Sequence, residues 1–565
     1  MLNIYFEHKD EWVVGERTKA RGSGFLNDER LSTTDLVSRI DNIGDISDVI
    51  DLIDEFNGFF SLIYQHKNKT LIAADHINST PLYYGKSQRE LYISDSSQWI
   101  DDQCSDSYDQ YTATEYLHTG FVTGTDTISC GTSQVQAGEY VIFDTSTGNI
   151  LNQDRYHQSR FGYGSTTPTS ERFDSIFENI TRRLIEFADG RPICLALSGG
   201  SDSRLIAMML NRLGYENVYT YTHDLPSGSR NDIPIAKSIS EELGFEHTTI
   251  TVTHDDFREF YESSRWDDFC EAVDYFSSVP NIHETVVLEQ LKSTIDFSAK
   301  PIDVRGHLPI PHGRDAFFPT ALEEKRFFTQ TGFLDEVWNG HYIRWNADKD
   351  SKKFENYLRA RGMNCLPMEL FKNSSVEPSP KIAAALSQWY WQERAAKYLV
   401  FDHEYDFVGF DRWFPLWDKE YIAFLQSLTL SSLIERRAQT EFVEQLSGEM
   451  LGWPTPQLNP STASSDTLLS ASKAKFWQTA KSVLDGLPNS VEYRLKAVGR
   501  DILWNFTRGY HSDPRYGLVS EEEFAQFDLD RNDAETFYYL LMYRDGLFTL
   551  PTDTELDRAV PDTTR

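Results

Sequence analysis

The six residues Ser198-Gly199-Gly200-Ser201-Asp202-Ser203 bring together two glycines, three hydroxyls and one carboxylate. They follow the apolar run Ile193–Leu197 and precede a helical pattern, so the stretch reads as a strand, a loop and a helix start. In a parallel sheet, ligands gather at the carboxyl ends of strands, where helix N-termini offer unpaired N–H groups and partial positive charge. Anions are favoured there. Gly199 and Gly200 let the backbone approach phosphate oxygens without a Cβ clash. Ser198, Ser201 and Ser203 add hydroxyl donors, and Ser203 is also placed to cap the helix. Asp202 would repel bare phosphate, but it suits a site where magnesium bridges carboxylate and phosphate oxygens. The loop has neither the lysine of the G-x-x-x-x-G-K-[ST] phosphate loop nor the spacing of a G-x-G-x-x-G turn. A plain Gly-Gly turn with Ser203 as cap is the competing reading, and the order strand, loop, helix weighs against it.

The elements around the loop follow from periodicity. Strands are expected at Ile193–Leu197, Val218–Thr222 and His247–Val252, alternating with helices at Ser203–Leu213 and Asp232–Leu243, each stopped by glycine. Two consecutive strand–loop–helix units imply a parallel sheet flanked by helices. A helix precedes them, with Phe173, Ile176, Ile180, Leu184 and Phe187 on one face and Gly190 as its stop. The first ~155 residues read instead as β-hairpins, turning near Gln65–Lys69, Lys86–Glu90 and Asp144–Gly148. Beyond about residue 257 the pattern is mostly helical, and Asn459–Lys475 is of low complexity.

Composition narrows the classes of function. A chain of 565 residues exceeds one ordinary core, and 40% hydrophobic with 13% aromatic content indicates folded material. A net charge of −33 repels phosphate backbones, which excludes a nucleic-acid partner. The longest apolar run, Phe537–Tyr543, is far too short for a membrane span, and acidic and basic residues break the first 20 positions. A cytoplasmic protein without membrane contact is expected. Five scattered cysteines and 14 dispersed histidines, His223, His247 and His254 among them, give no metal-ligand spacing.

S-G-G-x-D-S after an apolar strand resembles the pyrophosphate loop of the ATP pyrophosphatases, and the chain as a whole is similar to the asparagine synthetase class B family. "NDIPIAKSISEELGFEHTTITV" resembles that family's helix-and-strand segment. "WQERAAKYLVFDHEYDFVGFDRWFPLWDKEYIAFLQSL" resembles its late signature, with Pro415, Asp418 and Phe424 on the pattern. "FNGFFSLIYQHKNKTLIAADHINSTPLYYG" is similar to its N-terminal amidotransferase half. The likeness covers roughly residues 50–260 and 385–430.

The resemblance implies a glutaminase-like α+β sandwich over 1–158. A doubly wound parallel α/β sheet of ATP-pyrophosphatase type would follow over 171–458, then a linker and helical extension over 459–565. It implies ATP and magnesium as cofactors. Leu197, Ser198, Gly199, Gly200, Ser201, Asp202 and Ser203 would bind nucleotide, Asp202 would ligate the metal, and Asp202 and Arg394 would be catalytic. Arg394 and Asp418 would lie near the nucleotide. The implied reaction activates a carboxylate as an acyl-adenylate, which ammonia or an amine then attacks. A homodimer stays open.

Departures qualify the expectation. The family's glutamine-hydrolysing members carry a cysteine at position 2, where this chain has Leu2 and no cysteine before Cys104. The second glycine loop, expected near residue 305, keeps Gly306, Gly313 and Asp315 but loses its acidic pair, and no lysine falls between Lys419 and Lys473. Arg204 is read as reaching a surface carboxylate in preference to phosphate. A nucleotide-binding homologue without turnover, and a glutamine-hydrolysing asparagine synthetase, therefore stand as alternatives to the ligase.

Overall fold

The computed structural model describes residues 1–104, 107–224, 233–307, 378–399, 404–435, 437–453, 510–526 and 534–547, with Pro309, Val337 and Arg361. The central element of the second half is a five-stranded parallel sheet. Its spatial order is Glu246–Thr251, Val218–Asp224, Ile193–Ala196, Ile302–Val304 and Asp411–Trp413. The chain builds outward from Ile193–Ala196 in one direction, then returns to its other side. That reversal is the topological switch point of an open α/β sheet, where a crevice forms beyond the strand ends.

Helices cover both faces, as a doubly wound sheet requires. Leu195 packs on one side with Leu184, Leu205 and Ala236. Cys194 and Tyr221 point to the other side, into a cluster with Val287, Leu291 and Phe410. The helix Ser170–Ala188 buries Phe173, Ile176, Phe177, Ile180 and Leu184, and ends on Asp189 and Gly190 in left-handed conformations. Two strands were not expected from periodicity. Ile302–Val304 and Asp411–Trp413 are three residues each, too short to show an alternation, and both lie beyond residue 257, where the pattern was read as mostly helical.

The first half layers helices on a sheet on a second sheet. The hairpins appear as strands Asn57–His66 with Lys69–Ala74, Tyr83–Ser87 with Glu90–Ser94, and Glu139–Asp144 with Ile150–Arg155. The period of two is visible in the core. Phe60, Leu62 and Tyr64 face helices Thr33–Asp41 and Ile46–Glu55, while Ile63 and Ile72 face Tyr84, Leu91 and Ile93 of the smaller sheet. The two halves meet along an apolar seam in which the Phe59 ring lies 4.8 Å from Trp413 and 5.4 Å from Phe414. This seam anchors the edge strand of the parallel sheet.

The helical extension docks on the second half. Tyr510–Gln526 lies on the helix His254–Glu262, so tightly that a Cβ on Gly517 would come within 2.3 Å of the His254 carbonyl oxygen. Residues 459–509, including the low-complexity stretch, and Gly313 and Asp315 of the second glycine loop lie outside the described residues.

Candidate active site

The loop leaves Ile193–Ala196, the central strand, and enters the helix Ser201–Arg212. Leu197 is buried and fixes the entry: its N–H donates to the Tyr221 carbonyl (2.9 Å), and its own carbonyl accepts from Thr222 Oγ1 (2.6 Å). Hydroxyls then fold the loop on itself. Ser198 N–H donates to Ser203 Oγ (3.1 Å) and Gly200 N–H to Ser198 Oγ (3.2 Å). The helix starts two residues earlier than periodicity suggested, with Gly200 as its cap and no side-chain cap bond. Ser203 therefore sits inside the first turn and braces Ser198, which corrects the expectation that it caps the helix.

The second glycine loop reaches the first. Gly306, just past Ile302–Val304, lies so near the helix start that a Cβ there would be 2.8 Å from the Ser203 nitrogen. The neighbouring strand thus closes the crevice at the switch point. Asp202 is half-buried at the mouth, its Oδ1 accepting from Gln439 Nε2 (3.2 Å) and Ser201 Oγ (3.3 Å). Magnesium typically takes one or two carboxylates, several waters and substrate phosphate oxygens, and a single loop carboxylate fits that donor set. Among the described residues no group of three His, Cys, Asp or Glu forms a metal cage.

Arg204 departs from its reading. It is 3% exposed, not a surface residue, and its guanidinium stacks 5.2 Å from the Trp453 ring centroid. Burial pulls its pKa below the ordinary value, with Glu444 and Asp202 opposing. Gln439 and Trp453 were not legible as site residues, because they arrive from the distant segment 437–453 and no local spacing marks them.

The late signature divides. Arg394 is half-buried on the π-helical turn Tyr390–Leu399. Neighbours on that turn point to the first half: Trp391 Nε1 donates to the His76 carbonyl (2.6 Å), Glu393 accepts from Gly124 N–H (3.0 Å), and Lys397 binds the Val122 and Gly124 carbonyls. Asp418 is taken up by packing. It is buried, it caps the helix Lys419–Ser427, and it forms a bidentate pair with Arg183 (2.7 and 2.9 Å). Asp418→Ala is expected to cost about 3 kcal/mol of stability, because breaking a buried pair strands Arg183, with Glu420 softening the loss. Nucleotide affinity should be retained. Denaturant midpoints and an ATP titration of the variant check both halves of this expectation.

A family model for asparagine synthase matches residues 177–282, and one for a glutamine amidotransferase domain matches residues 42–157. No curated protein matches the chain. Among solved structures, a "predicted subunit of tRNA methyltransferase" from Methanocaldococcus jannaschii is 21% identical, covering 30% of this chain and 74% of its own, with a TM-score of 0.14. An NH3-dependent NAD synthetase from Campylobacter jejuni is 12% identical, covering 40% of this chain and 96% of its own, with a TM-score of 0.21. Both scores are too low for either structure to bear on function.

Proposed function

We propose that this asparagine synthetase-like protein is an ATP-dependent ligase that activates a carboxylate as its acyl-adenylate and transfers the acyl group to ammonia or an amine. The observation that carries the reading is the placement of the Ser198–Ser203 loop. It caps the central strand at the switch point, opens a helix N-terminus toward the crevice, and is closed from the neighbouring strand by Gly306.

In this reading Gly199, Gly200 and the first helical N–H groups hold the pyrophosphate oxygens, with Ser201 adding a hydroxyl. Asp202 would hold magnesium, which when bound neutralises charge on the leaving pyrophosphate. The carboxylate oxygen attacks the α-phosphorus, and the bond to pyrophosphate breaks. The amine nitrogen then forms a bond to the acyl carbon as AMP leaves. Holding the reactants in line at the crevice contributes most of what protein groups can offer here. Arg394 keeps its proposed catalytic role through the resemblance alone. The alternative, nucleotide binding without turnover, draws on the acidic pair missing from the second glycine loop and on the absence of a lysine between Lys419 and Lys473. ATP–pyrophosphate exchange against a panel of carboxylic acids separates the two. Acid-dependent exchange supports the ligase, and silence across the panel supports the binding protein.

Glutamine is not expected to supply the nitrogen. Amide hydrolysis of that kind needs an activated thiolate, and no cysteine precedes Cys104. Burial pushes the Cys104 thiol up to about 11, aided by Asp101, and pushes Cys194 and Cys270 higher still. Purified protein should release no glutamate from glutamine above a heat-denatured control.

A further inference from the structure

Behind the loop strand lies a buried polar cluster that the reaction described so far does not use. Tyr221 donates to Asp303 Oδ1 (2.6 Å), and Arg305 donates to Asp303 Oδ2 (2.8 Å), the Tyr221 hydroxyl (3.1 Å) and Glu284 Oε2 (2.6 Å). Arg305 is thereby tied to two carboxylates and a phenol through Nε and Nη2, and a guanidinium does not exchange its proton at neutral pH. Three imidazoles border this cluster. His223 ends the strand Val218–Asp224, one residue past Thr222, whose hydroxyl holds the Leu197 carbonyl at the start of the loop. His283 opens the helix Ile282–Thr294, with its ring centroid 4.9 Å from that of His223 and the planes at 80°. His307 follows Gly306, the residue that touches the loop helix.

Resting on the ligase reading, we propose that His223 is the base that accepts the proton released when the amine attacks the acyl-adenylate, and that His283 positions its ring. Amide formation from an amine must shed one N–H proton. The nitrogen lone pair forms the C–N bond, the acyl C–O bond breaks with its electron pair leaving on AMP, and the proton passes to a ring nitrogen of His223 and then to water.

Position selects among the three rings. His283 is 5% exposed, its Nδ1 lies 3.8 Å from Glu284, and its Nε2 is sealed without a partner. His307 has Nδ1 sealed from solvent. His223 is half-buried at the open end of its strand and makes no hydrogen bond among the described residues. The charged and titratable groups around it are Glu284 and His283 from the helix, Arg305 from the neighbouring segment, Arg515 from the docked extension, and Asp224 on its own strand. Burial lowers its pKa to about 4, with Glu284 opposing and His283, Arg305 and Arg515 reinforcing. The ring is thus neutral near pH 7 but a weak base, and negative charge from a nucleotide on the adjoining loop would raise its proton affinity toward the working range.

The test uses full-length parent, His223→Gln and His307→Gln, with 13C-labelled histidine. The resonance missing from His223→Gln is followed across pH, free and with magnesium α,β-methylene-ATP. It should titrate at least about one pH unit higher with nucleotide bound; an unmoved titration overturns the assignment. Separately, with an acid that supports ATP–pyrophosphate exchange and ammonium chloride as amine source, His223→Gln should keep exchange within about threefold yet lose amide formation about 100-fold or more. Parent-level amide formation in that variant, or a loss confined to His307→Gln, overturns the proposal. Silence of the parent in exchange is instead the failure of the ligase reading, whereas exchange without a His223 effect is the failure of this inference alone.

Discussion

Asp202→Asn is expected to bind ATP with no dependence on magnesium and to lose turnover by orders of magnitude. The substitution keeps the shape of the side chain and removes the one charge on the loop. Its amide oxygen can still accept from Gln439 Nε2, which lies 3.2 Å from Oδ1, so the link to the helix Arg437–Leu451 survives. Gly200, not Asp202, caps the loop helix. The folding cost is therefore limited to an acidic group near a helix N-terminus, about 0.3–1 kcal/mol. Arg204 loses one of its two nearby anions and keeps Glu444 and the Trp453 ring. If Asp202 holds the cation as proposed, the variant would lose a divalent charge against the pyrophosphate, and charge neutralisation of that kind is worth several kcal/mol in the transition state. Calorimetric titration of parent and variant with ATP, with and without magnesium, reads the difference directly. Equal magnesium dependence in the two proteins would remove Asp202 as a metal ligand and leave it as a turn residue.

The loop was legible because its chemistry is local. Strand, glycines, hydroxyls and helix follow one another within twenty residues, and the structure keeps them in that order with the helix start moved from Ser203 to Ser201. The flanking strands and helices were legible for the same reason, since each carries its own periodicity. What escaped reading is what the chain brings in from afar. Gly306 was recognised as a kept glycine, but nothing in the sequence says that it abuts Ser203 across the switch point. Gln439 and Trp453 reach Asp202 and Arg204 from more than 200 residues away. The edge strand Asp411–Trp413 is three residues inside an aromatic stretch, and it forms because Ile302–Val304 offers a free edge and Phe59 packs against Trp413. Asp418 shows the limit of a motif. It falls on a family pattern, and its carboxylate is committed to Arg183 on a neighbouring helix. The helices Thr33–Asp41 and Ile46–Glu55 cover the first sheet and were obscured by the stronger hairpin signals after them.

Gly306→Ala should separate the geometry of the crevice from the charge of Asp202. A Cβ at 306 would lie 2.8 Å from the Ser203 nitrogen and 3.2 Å from both the Asp202 carbonyl carbon and Ser203 Cα. All three neighbours are backbone atoms, so no flexible side chain can give way. Either the helix start or the strand end must shift. The helix start is held by Ser198 bonding to Ser203 and by Leu197 bonding to Tyr221 and Thr222, so a shift there carries the proposed phosphate donors with it. A displacement approaching 1 Å at a reacting centre costs on the order of 100-fold in rate. ATP–pyrophosphate exchange should fall by about that factor, and ATP affinity should weaken with and without magnesium alike, unlike the Asp202 variant. Stability should fall by about 1–3 kcal/mol, the cost of a forced local backbone shift, and the protein should stay folded under assay conditions. Gly44→Ala is the matched control: nothing lies within 4 Å of a Cβ at that position, and it should behave as the parent in every assay. If Gly306→Ala exchanges pyrophosphate at the parent rate, the second glycine loop does not shape the site. The crevice would then have to close through residues other than Gly306.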